Sequence, residues 1–204
     1  MNNIIKTTAI ILSTIGFATA SYATTPGVYL GGGLGISSLA DFSDADKSGN
    51  NTGLGGRVFI GYNFTQYIGV EAGYNKYADT SYALNDDTNF TFDYELYTLD
   101  ALAKLYLPLT SINPALDVYA LGGVASAYGS VSNVQYYGYG APSTSNNTFV
   151  AMVGLGAQYA ITPHLTTALE YTLTGGTSGD SENLGIPQSS LVTLNVAYQI
   201  GALG

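Results

Sequence analysis

Few side chains in this sequence can do ionic or acid–base chemistry. Of its 204 residues 9% are charged, with a single histidine and no cysteine. Arg57, Glu71, Asp100, Lys104, Asp117 and Glu170 stand out because each lies inside a segment that is otherwise apolar or built of small residues. Their mixed signs suit two arrangements. Packed together they form an ion network, since burying a lone charge is expensive and a paired, hydrogen-bonded set is tolerable. Spread along an open lumen they line a narrow ion path.

Other chemistry has less support. His164 follows Pro163 in a short polar stretch and reads as a surface turn residue. Asp86 and Asp87 adjoin in a polar loop and read as solvated acids. Cys or His at metal-ligand spacing is absent, and no helical pattern follows the glycine runs at 31–33 and 53–56 to make a phosphate cradle. The reading is therefore non-enzymatic, with no cofactor and no metal. Five basic residues against a formal charge of -9 cannot make the basic patch that nucleic acid requires.

The elements that must position the six charges are strands. The stretch 55–74, GGRVFIGYNFTQYIGVEAGY, alternates with period two on both sides of a short turn at 63–66. Val58, Ile60, Tyr62, Ile68, Val70, Ala72 and Tyr74 share one face; Arg57, Phe59, Gly69, Glu71 and Gly73 share the other. The apolar face is too continuous for water, and the charged face is too polar for a soluble core. Lipid outside and a closed polar interior satisfy both. Arg57 and Glu71 are then expected directly or diagonally opposite each other, with Lys104 and Glu170 at similar height.

The same alternation predicts strands at 28–38, 52–62, 67–77, 93–107, 116–130, 148–160, 165–175 and 189–200. Their connections alternate long and short, and prolines 108, 114 and 163 fall in the short ones. The expected fold is an all-β, eight-stranded antiparallel up-and-down transmembrane β-barrel. A barrel of this size is only wide enough for its interior to fill with side chains. Outward Tyr62, Tyr159 and Tyr198 fall near one set of strand ends, and Tyr74, Tyr97, Tyr128 and Phe149 near the other, as two interface belts require.

Residues 1–23 read as a secretory signal peptide, with Lys6, a short apolar core at 9–18 and a small-x-small site at Ser21-Tyr22-Ala23; Ala18-Thr19-Ala20 is a second candidate site. Residues 24–204 are then one barrel domain exported to the bacterial outer membrane. Its expected surroundings are outer-membrane lipid and lipopolysaccharide, and its expected state is a monomer.

The hairpin GYNFTQYIGVEAGY, the first strand YLGGGLGISS, the segment LYTLDALAKLYLPL and the pair LDVYALGGVASAYG and FVAMVGLGAQYAITPHLTTALEY together resemble the small outer-membrane barrels of the OmpA-like and opacity-protein type. The resemblance spans about 27–200. It implies an anchor and display scaffold whose long outer loops meet host or other cell surfaces, inserted by the barrel assembly machinery. A small porin-like channel through the charged interior is the alternative. Such barrels usually end on an aromatic residue; here Tyr198-Gln199-Ile200 is followed by residues 201–204. No peptidoglycan-binding domain follows the barrel, so wall anchoring is not implied. Three of the long loops are acidic, with Asp41, Asp44 and Asp46, Asp79, Asp86 and Asp87, and Asp180 and Glu182; such acids suit divalent cations, a basic partner, or plain solubility. The uncharged loop with Tyr136, Tyr137 and Tyr139 either contacts a partner or continues the strands above the membrane.

Overall fold

The computed structural model describes residues 23–40, 51–83, 90–136, 139–140, 143–177 and 185–201. The predicted signal peptide and most of the long acidic loops lie outside them. The strands are β1 (Gly27–Leu39), β2 (Thr52–Asn63), β3 (Ile68–Lys76), β4 (Thr80–Ala83), β5 (Phe90–Pro108), β6 (Leu116–Tyr136), β7 (Tyr139–Gly140), β8 (Thr144–Thr162), β9 (Leu165–Thr174) and β10 (Ser189–Gly201). Every pairing is antiparallel, and β5 pairs with β6 to close the sheet on itself. Short β4 extends the line of β3 along β5, and β7 extends that of β8 along β6. The result is a closed barrel of eight staves.

The break between β3 and β4 is a bulge. Lys76 pairs with Tyr97, but Thr80 pairs with Tyr94, so one extra residue is accommodated. Tyr77 and Ala78 are consequently both buried. The Tyr77 amide keeps the ladder by donating to the Leu96 carbonyl at 3.0 Å, and its hydroxyl meets that of Thr174 at 2.7 Å.

Short turns join the staves at one end. Two of them use a threonine in the same way: Thr65 Oγ1 accepts the Ile68 amide at 3.2 Å, and Thr162 Oγ1 accepts the Leu165 amide at 3.0 Å. At the other end β5, β6 and β8 run further than the sequence predicts. Ser132, Asn146 and Asn147 read as loop by composition, yet they lie in paired strands. Alternation is a weak guide there because water can reach both faces of a wall that stands above lipid.

Outward residues form a continuous apolar jacket: Leu34, Leu54, Val58, Leu105, Phe149, Leu155 and Leu194 are each more than half exposed. Tyr97 stacks on Tyr128 with ring centroids 5.0 Å apart and lies 5.8 Å from Tyr74, near the long-loop end. Tyr62 meets Phe64 edge-on at 5.1 Å near the short-turn end.

The interior corrects one expectation. It is not polar throughout: its long-loop half is filled by Leu39, Leu96, Val150, Met152, Ile186 and Leu191, with the Tyr77 and Tyr94 rings. Phe149 to Val153 and Leu191-Val192 are apolar at both parities, because here one parity faces lipid and the other faces this plug.

Leu155 sits mid-strand on the lipid side, 65% exposed. Leu155→Arg is expected to cost roughly 2–4 kcal/mol in urea unfolding from lipid vesicles, and Leu155→Val far less.

Candidate functional site: the interior ion cluster

The charged half of the interior is built by glycines that admit rings. Tyr29 on β1 is paired with Gly61, and Tyr119 on β6 with Gly156. A Cβ at either glycine would overlap the tyrosine ring opposite. Each ring therefore lies against the wall of the neighbouring stave, and its hydroxyl reaches across the interior. Tyr29 OH donates to Glu71 Oε2 at 2.9 Å, and Tyr119 OH donates to Glu170 Oε2 at 2.7 Å.

Two cations lie between these two carboxylates. Arg57 Nη2 donates to Glu71 Oε1 at 2.7 Å, while Nη1 faces Glu170 Oε1. Lys104 Nζ donates to Glu71 Oε2 at 3.1 Å and lies 3.6 Å from Glu170 Oε2. Aromatic faces cover what remains: Lys104 sits 4.2 Å from the Tyr119 ring centroid, and the Arg57 guanidinium 4.9 Å from that of Phe59. The four charged side chains are at most 5% exposed. Their charges sum to zero, and each carboxylate bridges both cations.

The structure brings together four of the six charged residues singled out from sequence. Asp100 lies one step nearer the long loops, where it accepts from Asn75 Nδ2 at 2.6 Å; Asn75 also donates to Thr98. Asp117 stands at the other end, where it accepts from Thr24 Oγ1 at 2.5 Å and from Gln158 Nε2 at 3.3 Å. The strand-neighbour expectation for Arg57 and Glu71 does not hold. Arg57 pairs with Asn75 and Glu71 with Gly61, so the two meet by reaching along the curved interior. Sequence reasoning missed the roles of Tyr29 and Tyr119, although an inward tyrosine facing an inward glycine was a usable signal.

Of the aromatic loop, Tyr136 and Tyr139 pair as backbone across the β6–β7 hairpin, and Tyr136 also pairs with Phe90. The segment therefore continues the strands, and Tyr137 lies outside the described residues. His164 is exposed in the short turn before β9, its ring stacked 6.0 Å from that of Tyr198. Lys76 Nζ pairs with Asp79 at 2.6 Å and lies 3.6 Å from Glu95, on the outer surface beside the Tyr97 belt. Among the described residues no group of three or more His, Cys, Asp or Glu could hold a metal ion.

Residues 7–199 match the family model of the outer membrane protein beta-barrel domain. The chain belongs to that family. Outer membrane protein A of Salmonella typhi is 34% identical over 95% of this chain and 54% of its own length, and that of Yersinia pseudotuberculosis 34% identical over 96% and 56%. The chain thus spans about half the length of the curated relatives it matches. Among solved structures, Neisserial surface protein A superposes with a TM-score of 0.61 at 17% identity, over 85% of this chain and 97% of that one. Ail, the attachment invasion locus protein of Yersinia pestis, gives 0.52 at 18%, over 86% and 100%. At these identities the structural likeness speaks for the fold.

This outer-membrane barrel therefore places its short turns and both ends of the strand array in the periplasm, and its long loops outside the cell. The ion cluster holds its staves together from within. Arg57→Ala leaves two buried carboxylates sharing one lysine. It is expected to cost about 3–5 kcal/mol in reversible urea unfolding, and a loss below 1 kcal/mol would mean that the cluster does not brace the barrel.

Proposed function

We propose that this protein is a non-enzymatic anchor and surface-display scaffold, with adhesion carried by its outer loops. The observation that carries this reading is the wall formed by β5, β6 and β8. Beyond the Tyr97–Tyr128 stack, β6 runs on to Tyr136, still paired with β5 as far as Phe90. At about 3.4 Å per residue this is roughly 25 Å of further strand above the belt. A rigid pedestal of that kind lifts the outer loops clear of the lipid headgroups and limits the conformational freedom they must lose on contact.

The interior supports the same reading. The apolar plug lies between the ion cluster and the outside, and the cavity on the periplasmic side is about 30 Å³, room for little more than a water molecule. His164, the sole histidine, is at the periplasmic end, away from the outer leaflet. The relative named an attachment invasion locus protein, of like fold, agrees with a role at the cell surface. The partners that fit are the lipopolysaccharide around the belt and molecules on other cells.

The test replaces loops 40–51, 84–89 and 178–184 by minimal turns, substitutes Tyr136, Tyr137 and Tyr139 by serine, and leaves the strands intact. Bacteria carrying this variant, inserted at normal levels, are expected to adhere to cultured epithelial cells no better than bacteria lacking the protein. Undiminished adhesion would overturn the proposal.

A further inference from the structure

The periplasmic mouth holds a buried carboxyl group that, among the described residues, has no basic side chain beside it. Asp117 is 2% exposed, and among the described residues no lysine or arginine nitrogen lies within 4 Å of it. Arg57 and Lys104 are committed to Glu71 and Glu170. A buried carboxylate with hydrogen bonds but no counter-charge is a seat for a cation.

What occupies that seat is Thr24, which is itself 2% exposed. Gln158 Nε2 donates to Thr24 Oγ1 at 2.6 Å, and Thr24 Oγ1 donates to Asp117 Oδ2 at 2.5 Å. The Thr24 backbone nitrogen is three bonds from that hydroxyl oxygen, so it lies within a few ångströms of the same carboxylate. The strap that follows is tied to the mouth on both sides: Asn63 Nδ2 donates to the Thr25 carbonyl at 3.3 Å, and Gln199 Nε2 to the Pro26 carbonyl at 3.4 Å. Gly27, at a φ of 129° that a side chain would strain, then turns the chain into β1.

Thr24 also directly follows Ser21-Tyr22-Ala23, the small-x-small pattern of a leader cleavage site. We propose that the chain is cleaved between Ala23 and Thr24, and that the α-ammonium created on Thr24 is the counter-ion of Asp117, fastening the mature N-terminus into the periplasmic mouth. Hydrolysis of that bond adds one water. The released leader takes the new carboxylate, and Thr24 takes the new amine, which is protonated at neutral pH. Processing thereby converts a neutral amide donor beside a buried acid into a full positive charge on the same nitrogen.

The experiment uses protein extracted from outer membranes. N-terminal sequencing is expected to begin at Thr24; a chain beginning at Ser21, or one that keeps its leader, overturns the proposal. Amine-reactive labelling near neutral pH, read by peptide mass, then probes the ion pair. The Thr24 amine is expected to react about tenfold more slowly in the folded barrel than after heat unfolding, because pairing holds it protonated. Asp117→Asn should remove most of that protection while the barrel stays folded by gel mobility. A second variant, with Gly-Ser inserted after Ala23, keeps Asp117 and moves the amine out of its seat, and should lose protection equally. Equal labelling of folded and unfolded wild type, or protection that survives the insertion, overturns the proposal.

Discussion

Hydrocarbon cannot accept or donate a hydrogen bond, so every backbone N–H and C=O that meets it must be paired within the protein. This requirement governs the rest of the molecule. It makes the sheet close through β5 and β6, since an open edge would leave a row of unpaired groups in lipid. Closure with eight staves then fixes the interior at a width that side chains fill. What they fill it with is decided by height. Near the outer end, alternation is abandoned and an apolar plug fills the barrel. Toward the periplasm, charge is admitted where Arg57 and Lys104 can offset Glu71 and Glu170.

The ion cluster follows from that width. Two carboxylates, two cations and two tyrosine hydroxyls share a space from which water is nearly excluded, and each charge finds opposite charge on more than one side. The glycines opposite Tyr29 and Tyr119 are as much a part of this as the charges. Without them the rings would stand off the wall, and their hydroxyls would miss Glu71 and Glu170. A network of this kind ties β1, β2, β3, β5, β6 and β9 together across the interior, which no backbone ladder does. On the reading proposed above, function lies further out, on the pedestal and the loops it carries.

Much of this was legible in the sequence, because lipid on one side enforces a strict period of two. The facing of Val58, Glu71, Lys104 and Leu155 could be read directly, and so could the two tyrosine belts. The charges that would lie inside could be named, but not their partners. Arg57 reaches Glu71 from four residues out of register, a separation set by strand tilt and stagger that parity does not encode. The plug escaped notice for a related reason. Leu96, Met152 and Leu191 interrupt the polar parity only near the outer strand ends, where an expectation of a uniformly polar interior hides them. The reach of β5 and β6 above the membrane was hidden by serines and asparagines that compose loops elsewhere.

Among the described residues, the ion cluster and the apolar plug together fill the barrel interior. The chain has no cysteine, so a single introduced thiol gives a clean probe. Ala125, fully buried at the plug, is the position to use. In Ala125→Cys protein inserted in lipid vesicles, a small membrane-impermeant thiol reagent applied to both sides should leave the cysteine unmodified until the barrel is unfolded. Rapid modification of the folded protein would mean that water and solutes pass the plug, and would contradict the account.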